Sequence, residues 1–174
     1  NLRVTKYNDG TALVFTTSGI DWLNQSTGAY CWPQDDITYK SVYGGFYNWY
    51  AVSSGKLAPE GWHIPTEEDW ITLATYLGGA SVAGGKIKAA GTQYWSSPNS
   101  GGANETGFTA LPAGYRSRVN GGNPSMGEVA VFWSSTGSVN SYGRLSLDYS
   151  NSVFYYGNEF GNFGFSVRCI KNVE

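Results

Sequence analysis

Glycine constrains this chain more than any other residue type. Its 24 glycines are spread over 174 residues, many in adjacent pairs, and each one interrupts regular structure because glycine loses more backbone freedom on folding than any other residue. Aromatic residues make up 16% and charged residues only 14%, a balance that describes short strands, turns and irregular loops rather than a helical bundle. With 41% hydrophobic residues the chain can bury one sizeable core and is too short for two ordinary domains, so residues 1–174 are read as a single domain. So low a charge content is also unlike a disordered segment.

Eleven basic and 13 acidic residues give a net charge of −2 and are scattered along the chain. No basic stripe is available to neutralise phosphates, which argues against nucleic acid as a partner. No apolar run approaches the roughly 18 residues of a membrane-crossing helix. Asn1-Leu2-Arg3-Val4 has neither the basic nor the apolar region of a signal peptide, so a mature or excised chain is expected. Cys31 and Cys169 leave two readings open. A bridge between them would close a loop spanning most of the chain, which the chain-entropy model values at on the order of 4 to 5 kcal/mol; the alternative is a pair of buried free thiols.

Along the chain, Asn8-Asp9-Gly10 predicts a turn between Val4 and the run Ala12-Leu13-Val14-Phe15, hence a hairpin. Residues 16–45 carry turn formers and aromatics without sustained periodicity and read as loop with short ordered pieces. Two helices are expected next. The first, about Phe46 to Ser53, would put Tyr47, Tyr50 and Ala51 on one face. The second is capped by Thr66 with Glu67, Glu68 and Asp69 in its first turn; Trp70, Leu73, Ala74 and Leu77 follow at helical spacing, and Gly78-Gly79 stops it. Beyond Gly79 no further helix-length pattern is visible. The last third reads as antiparallel sheet: Leu145, Leu147 and Tyr149 alternate with Arg144, Ser146 and Asp148, Val153 and Tyr155 with Phe154 and Tyr156, and Phe165, Val167 and Cys169 with Ser166 and Arg168.

Five blocks occur in order: Trp49-Tyr50-Ala51, the run from Gly61 to Trp70, the run from Gly107 to Arg116, Trp133-Ser134-Ser135-Thr136, and Gly164-Phe165-Ser166-Val167-Arg168-Cys169. Together they resemble the Fibrobacter succinogenes major paralogous domain, a family of surface and secreted proteins of Bacteroidetes and Fibrobacteres related to the C-type lectin and formylglycine-generating-enzyme folds. The resemblance implies an α+β, C-type-lectin-like fold, two helices packed on short antiparallel sheets with much irregular loop, and an extracytoplasmic location. Relatives carry a strand upstream of the segment matching Asn1-Leu2, so the resemblance implies that this chain either lacks its first strand or is cut from a longer protein. Many also have a cysteine where Ala58 stands here, and by analogy with C-type lectins it would pair with Cys169; Cys31 is the substitute on offer.

Candidate catalytic groups are few. His63 is the only histidine, and general-base work needs an oriented partner and a nucleophile that the sequence does not name, so a structural role is expected. Cys31 and Cys169 do not sit in a motif like that of the formylglycine-generating enzymes, and catalysis is not expected. Asn104 and Glu105, with backbone carbonyls, offer oxygen ligands of the kind calcium takes. The acidic sugar-binding motif of true C-type lectins is absent; Asn123-Pro124-Ser125 is its nearest echo.

The segment from Gly137 to Phe163 is the most suggestive. Of its 27 residues 17 are Asn, Ser, Tyr or Gly, and none is lysine. Rings give contact area at low entropic cost while Ser, Asn and Gly give adaptable hydrogen bonds, the division of labour found in antibody loops. The resemblance adds that lectin-fold variable proteins of diversity-generating retroelements, bacterial or phage-borne, alter asparagine codons in their last strands to this residue set. Tyr142, Arg144, Ser146, Asp148, Ser150, Phe154, Tyr156, Asn158, Phe160, Asn162 and Phe163 are therefore expected to be displayed for a protein or glycan ligand. Leu145, Leu147, Val153, Val167 and Trp133 would form the scaffold beneath them. The rival reading is a structural or adhesive module of a surface protein or pilus.

Overall fold

Asn8-Asp9-Gly10 reverses the chain: Tyr7 N–H donates to Thr11 O at 2.8 Å and Lys6 bridges Ala12 in antiparallel sense. The computed structural model describes residues 1–173. After this hairpin β1 (Val14–Phe15) pairs in parallel with β2 (Ala29–Cys31), which pairs antiparallel with β3 (Phe46–Tyr47). Between them Ser18 caps a short helix, α1 (Gly19–Leu23), which buries Trp22. Two 3₁₀ turns and α2 (Lys40–Tyr43) complete the stretch expected to be mostly loop.

Asn48 then caps α3 (Trp49–Val52), shorter than the expected helix because Phe46 and Tyr47 belong to β3. The expected shared face is therefore not formed: Tyr47 and Ala51 are buried and Tyr50 is exposed. β4 (Trp62–His63) leads into α4 (Glu67–Tyr76), the helix legible in the sequence. Thr66 and Asp69 form a capping box, and Gly78 and Gly79, both at positive φ, end the helix. A further helix, α5 (Ala80–Ile87), follows where none was expected. Its Gly84-Gly85 pair resembles a breaker but serves close approach, because a Cβ at Gly84 would strike the Val153 carbonyl and one at Gly85 the Gly101 carbonyl.

The late antiparallel sheet consists of β5 (Val129–Ser138), β6 (Ser141–Asp148) and β7 (Tyr155–Glu159). β8 (Ile170–Lys171) returns to pair with β4. The expected strand Phe165–Cys169 is instead a connector that touches two sheets by single bridges, Tyr47 with Phe165 and Phe132 with Ser166. The architecture is thus α+β, with five short helices among the described residues rather than the two expected, and with one parallel pair among their sheets.

Period 2 divides the late sheet cleanly. On one face Ala130, Phe132, Leu145 and Leu147 pack against Trp70, Ala74 and Ile87 of the helices. On the other, Val131 and Trp133 of β5 are covered by Trp49, Phe165 and Val167, with the Trp133 and Phe165 rings 4.4 Å apart. Trp133, Leu145, Leu147 and Val167 are buried as expected. Val153 and Phe154 exchange roles. Phe154 is only 3% exposed and Val153 41%, because β7 begins at Tyr155 and a one-residue shift of phase turns every side chain over.

A fully buried lysine pins the helical side. Lys88 Nζ donates to the carbonyls of Ser100, Asp148 and Asn151 at 3.0, 2.9 and 2.9 Å. Burial lowers its pKa. Cys31 and Cys169 are both free; Cys31 packs beside Trp22 and Phe46, and Cys169 against the cluster of Trp49 and Trp133. The bridge expected as one alternative is not formed. No helix among the described residues is long and apolar enough to cross a membrane.

Candidate functional site

The face of the late sheet that the core covers at β5 is left open at β6 and β7. Register puts Val131 opposite Ser146 and Trp133 opposite Arg144, then Arg144 opposite Gly157 and Ser146 opposite Tyr155. Arg144, Ser146, Tyr155 and Glu159 therefore share one outward surface. At its step against the core lies a groove of about 200 Å³, floored by Val129 and Val131 and walled by Tyr115, Phe163 and Phe165, with Arg144, Ser146 and Glu159 on the polar side.

Its geometry is preset by local contacts. Phe163 stacks on Phe165 at 5.3 Å with 19° between planes and meets Tyr115 edge-on at 5.8 Å. Arg144 Nη1 donates to Ser146 Oγ at 2.6 Å and Nη2 to Glu159 Oε1 at 3.4 Å, with the guanidinium 5.2 Å from the Tyr155 ring. A partly exposed pair of this kind contributes little to stability, about 0–1 kcal/mol, and its donors can be shared with an incoming acceptor. Beside the groove Phe160 lies 45% exposed with the Arg118 guanidinium 4.0 Å from its centroid.

The eleven residues expected to be displayed divide. Arg144, Ser146 and Phe163 meet in the groove and Phe160 flanks it. Tyr142 lies on the same face but stacks on Trp49 at 4.4 Å. Asp148 and Ser150 close the turn after β6, with Asp148 Oδ1 accepting from Ser150 N–H and Oγ–H at 2.8 and 2.6 Å. Asn162 is half-buried, its carbonyl accepting from Trp22 Nε1. Two, Phe154 and Tyr156, are corrected, and Asn158 is exposed but on the opposite side of the sheet. Phe154 is in the core against Trp70, 6.0 Å away. Tyr156 pairs across from Leu145 and Asn158 from Gly143, so both point to the helical side, where Tyr156 packs on the core and Asn158 is exposed at the sheet edge.

Tyr155, Glu159, Tyr115 and Arg118 were not foreseen. The phase shift at β7 hid Tyr155, which is 55% exposed. Tyr115 and Arg118 come from a distant loop, and no periodicity links them to the sheet.

Asn104 and Glu105 do not form a calcium cradle, which takes six to eight oxygens. Asn104 Oδ1 accepts from Thr109 N–H at 2.8 Å and Glu105 faces Lys86 at 3.6 Å. Among the described residues no three His, Cys, Asp or Glu side chains converge on a metal position. His63 has oriented partners that the sequence did not disclose: Nδ1 lies 2.7 Å from Asn172 Oδ1 and Nε2 3.3 Å from Asp69 Oδ2. Both ring nitrogens are thus engaged in tying β4 to α4 and to the residue after β8. Burial raises the Asp69 pKa, but hydrogen bonds from Thr66 and His63 outweigh it and leave a net lowering.

Residues 1–171 match the family model described as the Fibrobacter succinogenes major domain. No curated protein and no solved structure matches the chain.

Proposed function

This chain belongs to the Fibrobacter succinogenes major domain family, and from that footing we propose that it is a non-catalytic recognition domain whose ligand, a protein or glycan at a cell or virion surface, binds the open face of β6 and β7. One observation carries this: the same sheet face is sealed by aromatic packing at β5 and left open at β6–β7, with an aromatic-walled groove and a polar Arg144–Ser146–Glu159 edge. A small aromatic-walled pocket with polar groups along one side suits an anchor residue or a single sugar, and the exposed rings of Tyr155 and Phe160 extend the contact area. Phe154 and Tyr156, turned to the core, are not part of the contact set, and Asn158, exposed on the other side of the sheet, lies outside this groove.

The return of β8 to β4, with helices on one side of the late sheet, supports a C-type-lectin-like scaffold. The Ser, Asn, Tyr and Phe content of residues 137–163 supports a variable face diversified by a retroelement, and an extracytoplasmic address accords with both. Protein and glycan arrays probed with the parent and with an Arg144→Ala, Tyr155→Ala, Phe160→Ala variant test the binding reading: the variant is expected to fold and to lose the parent's hits. A near-copy of this segment in neighbouring DNA, differing only at adenines, tests the retroelement reading.

A further inference from the structure

A second cleft, of about 410 Å³, opens between α4, the β4–β8 ribbon and Phe108 and shares no residue with the late-sheet groove. Small-molecule sites fall at roughly 300–1,000 Å³. Trp62, Leu73, Phe108 and Ile170 give it apolar walls. Into this apolar setting comes Arg168, half-buried, its guanidinium 4.5 Å from the Phe108 centroid.

Among the described residues Arg168 has no counter-charge. Its Nε donates to Asn1 Oδ1 at 2.7 Å and its Nη2 to Thr109 O at 3.2 Å, both neutral acceptors. Among the described residues, the buried Arg116 has Asp35 and the half-buried Arg144 has Glu159, whereas Arg168 forms no salt bridge. Lys171, on the cleft's rim, forms none with the described residues either. The one carboxylate in the cleft, Asp69, turns its Oδ2 to Thr66 N, Thr66 Oγ1 and His63 Nε2 at 2.8, 2.8 and 3.3 Å, so its charge serves the helix cap. Burial pushes the neighbouring Cys169 thiol up to about 11, so it is neutral and does not oppose an anion. Trp70 on the floor has an indole N–H with no acceptor, while those of Trp22, Trp95 and Trp133 each donate to a backbone carbonyl. Charge withdrawn from water is stable when paired, and a positive group left unpaired beside an apolar cleft selects an anion with an apolar body.

We propose that this cleft binds a small apolar monocarboxylate, its ring or branched chain against Trp62, Leu73 and Phe108 and its carboxylate at Arg168 and Lys171. The test titrates 3-phenylpropionate and, separately, the neutral 3-phenylpropionamide into the whole chain, following Arg Nε–H, Trp indole N–H and backbone resonances by NMR. The acid is expected to saturate, with its largest shifts at Arg168, Trp70, Phe108 and Lys171. The amide should bind at least about tenfold more weakly, the value of a charge-assisted contact. Lys171→Glu, on the exposed rim, should weaken the acid several-fold and leave the amide unchanged. Arg168→Gln should abolish the preference for acid over amide. Because that change also removes the Asn1 and Thr109 bonds, Lys171→Glu decides the matter if Arg168→Gln does not fold. Equal binding of acid and amide, shifts centred on the late-sheet groove, or no saturable shift with the acid would overturn the proposal. Shifts centred on the late-sheet groove would place the acid at the β6–β7 face instead; the other outcomes leave the reading of that face untouched.

Discussion

Replacing Phe154 and Phe160 one at a time by alanine separates core from display within a single short segment. Phe154 is 3% exposed, with Trp70 6.0 Å away and Leu145, Leu147 and Phe132 in the same cluster. Truncating such a ring costs about 3–5 kcal/mol through lost transfer energy and the cavity left behind. For a domain of this size each kcal/mol lowers Tm by about 2–4 °C, so Phe154→Ala should melt roughly 6–20 °C below the parent. Phe160 is 45% exposed and its main partner is the Arg118 guanidinium at 4.0 Å. An exposed cation–π contact is worth about 0.5–1 kcal/mol, hence a fall of about 1–4 °C for Phe160→Ala. Calorimetry of the three proteins at one pH gives both numbers. A Phe154→Ala variant melting within about 2 °C of the parent, or below it by less than Phe160→Ala, would refute the phase assigned to β7.

Three further outcomes are expected. Lys88→Met leaves the carbonyls of Ser100, Asp148 and Asn151 without their shared donor and should cost about 3 kcal/mol or more, read as a fall in the urea midpoint. Gly84→Ala drives a methyl into the Ser152 and Val153 carbonyls and should destabilise by about 1–3 kcal/mol, with hydrogen exchange quickening in α5 and the segment before β7. Alkylation at pH 8.5 should be slow in the folded chain and label two thiols in denaturant, since burial pushes Cys31 up to about 12 and Cys169 up to about 11. As the folded values are raised, the unfolded chain releases protons first, and stability should fall as pH rises above about 8.5.

What the sequence disclosed follows from how local each signal is. The α4 cap, its acidic first turn and its glycine stop lie within 14 residues, Thr66 to Gly79, and all could be read directly. The alternation of β6 was equally plain, because Leu145 and Leu147 face a core and Arg144 and Ser146 do not. Phe154 misled because Val153-Phe154-Tyr155-Tyr156 is apolar or aromatic at every position, so phase could not be taken from composition. The start of β7 decides it, together with the Phe154 N–H that donates to Ala80 O at 2.7 Å. α5 was hidden for a related reason: its two glycines serve contacts with Val153 and Gly101, far away in sequence. The groove itself joins Tyr115, Val131, Arg144 and Phe163 across three separate stretches, a convergence that no local pattern encodes. Arg168 likewise looked like one polar position in an alternating strand, and only its surroundings reveal a charge without a partner.

The most direct test compares two triple variants for affinity to the strongest array hit of the parent. One is Arg144→Ala, Tyr155→Ala, Phe160→Ala on the open face; the other is Ile71→Ala, Tyr76→Ala, Val82→Ala, three exposed residues of α4 and α5. The first should lose at least about a hundredfold in Kd, some 3 kcal/mol spread over three contacts, and the second should bind as the parent does. Loss by the helix variant with the open-face variant unimpaired would contradict the assignment of recognition to β6 and β7.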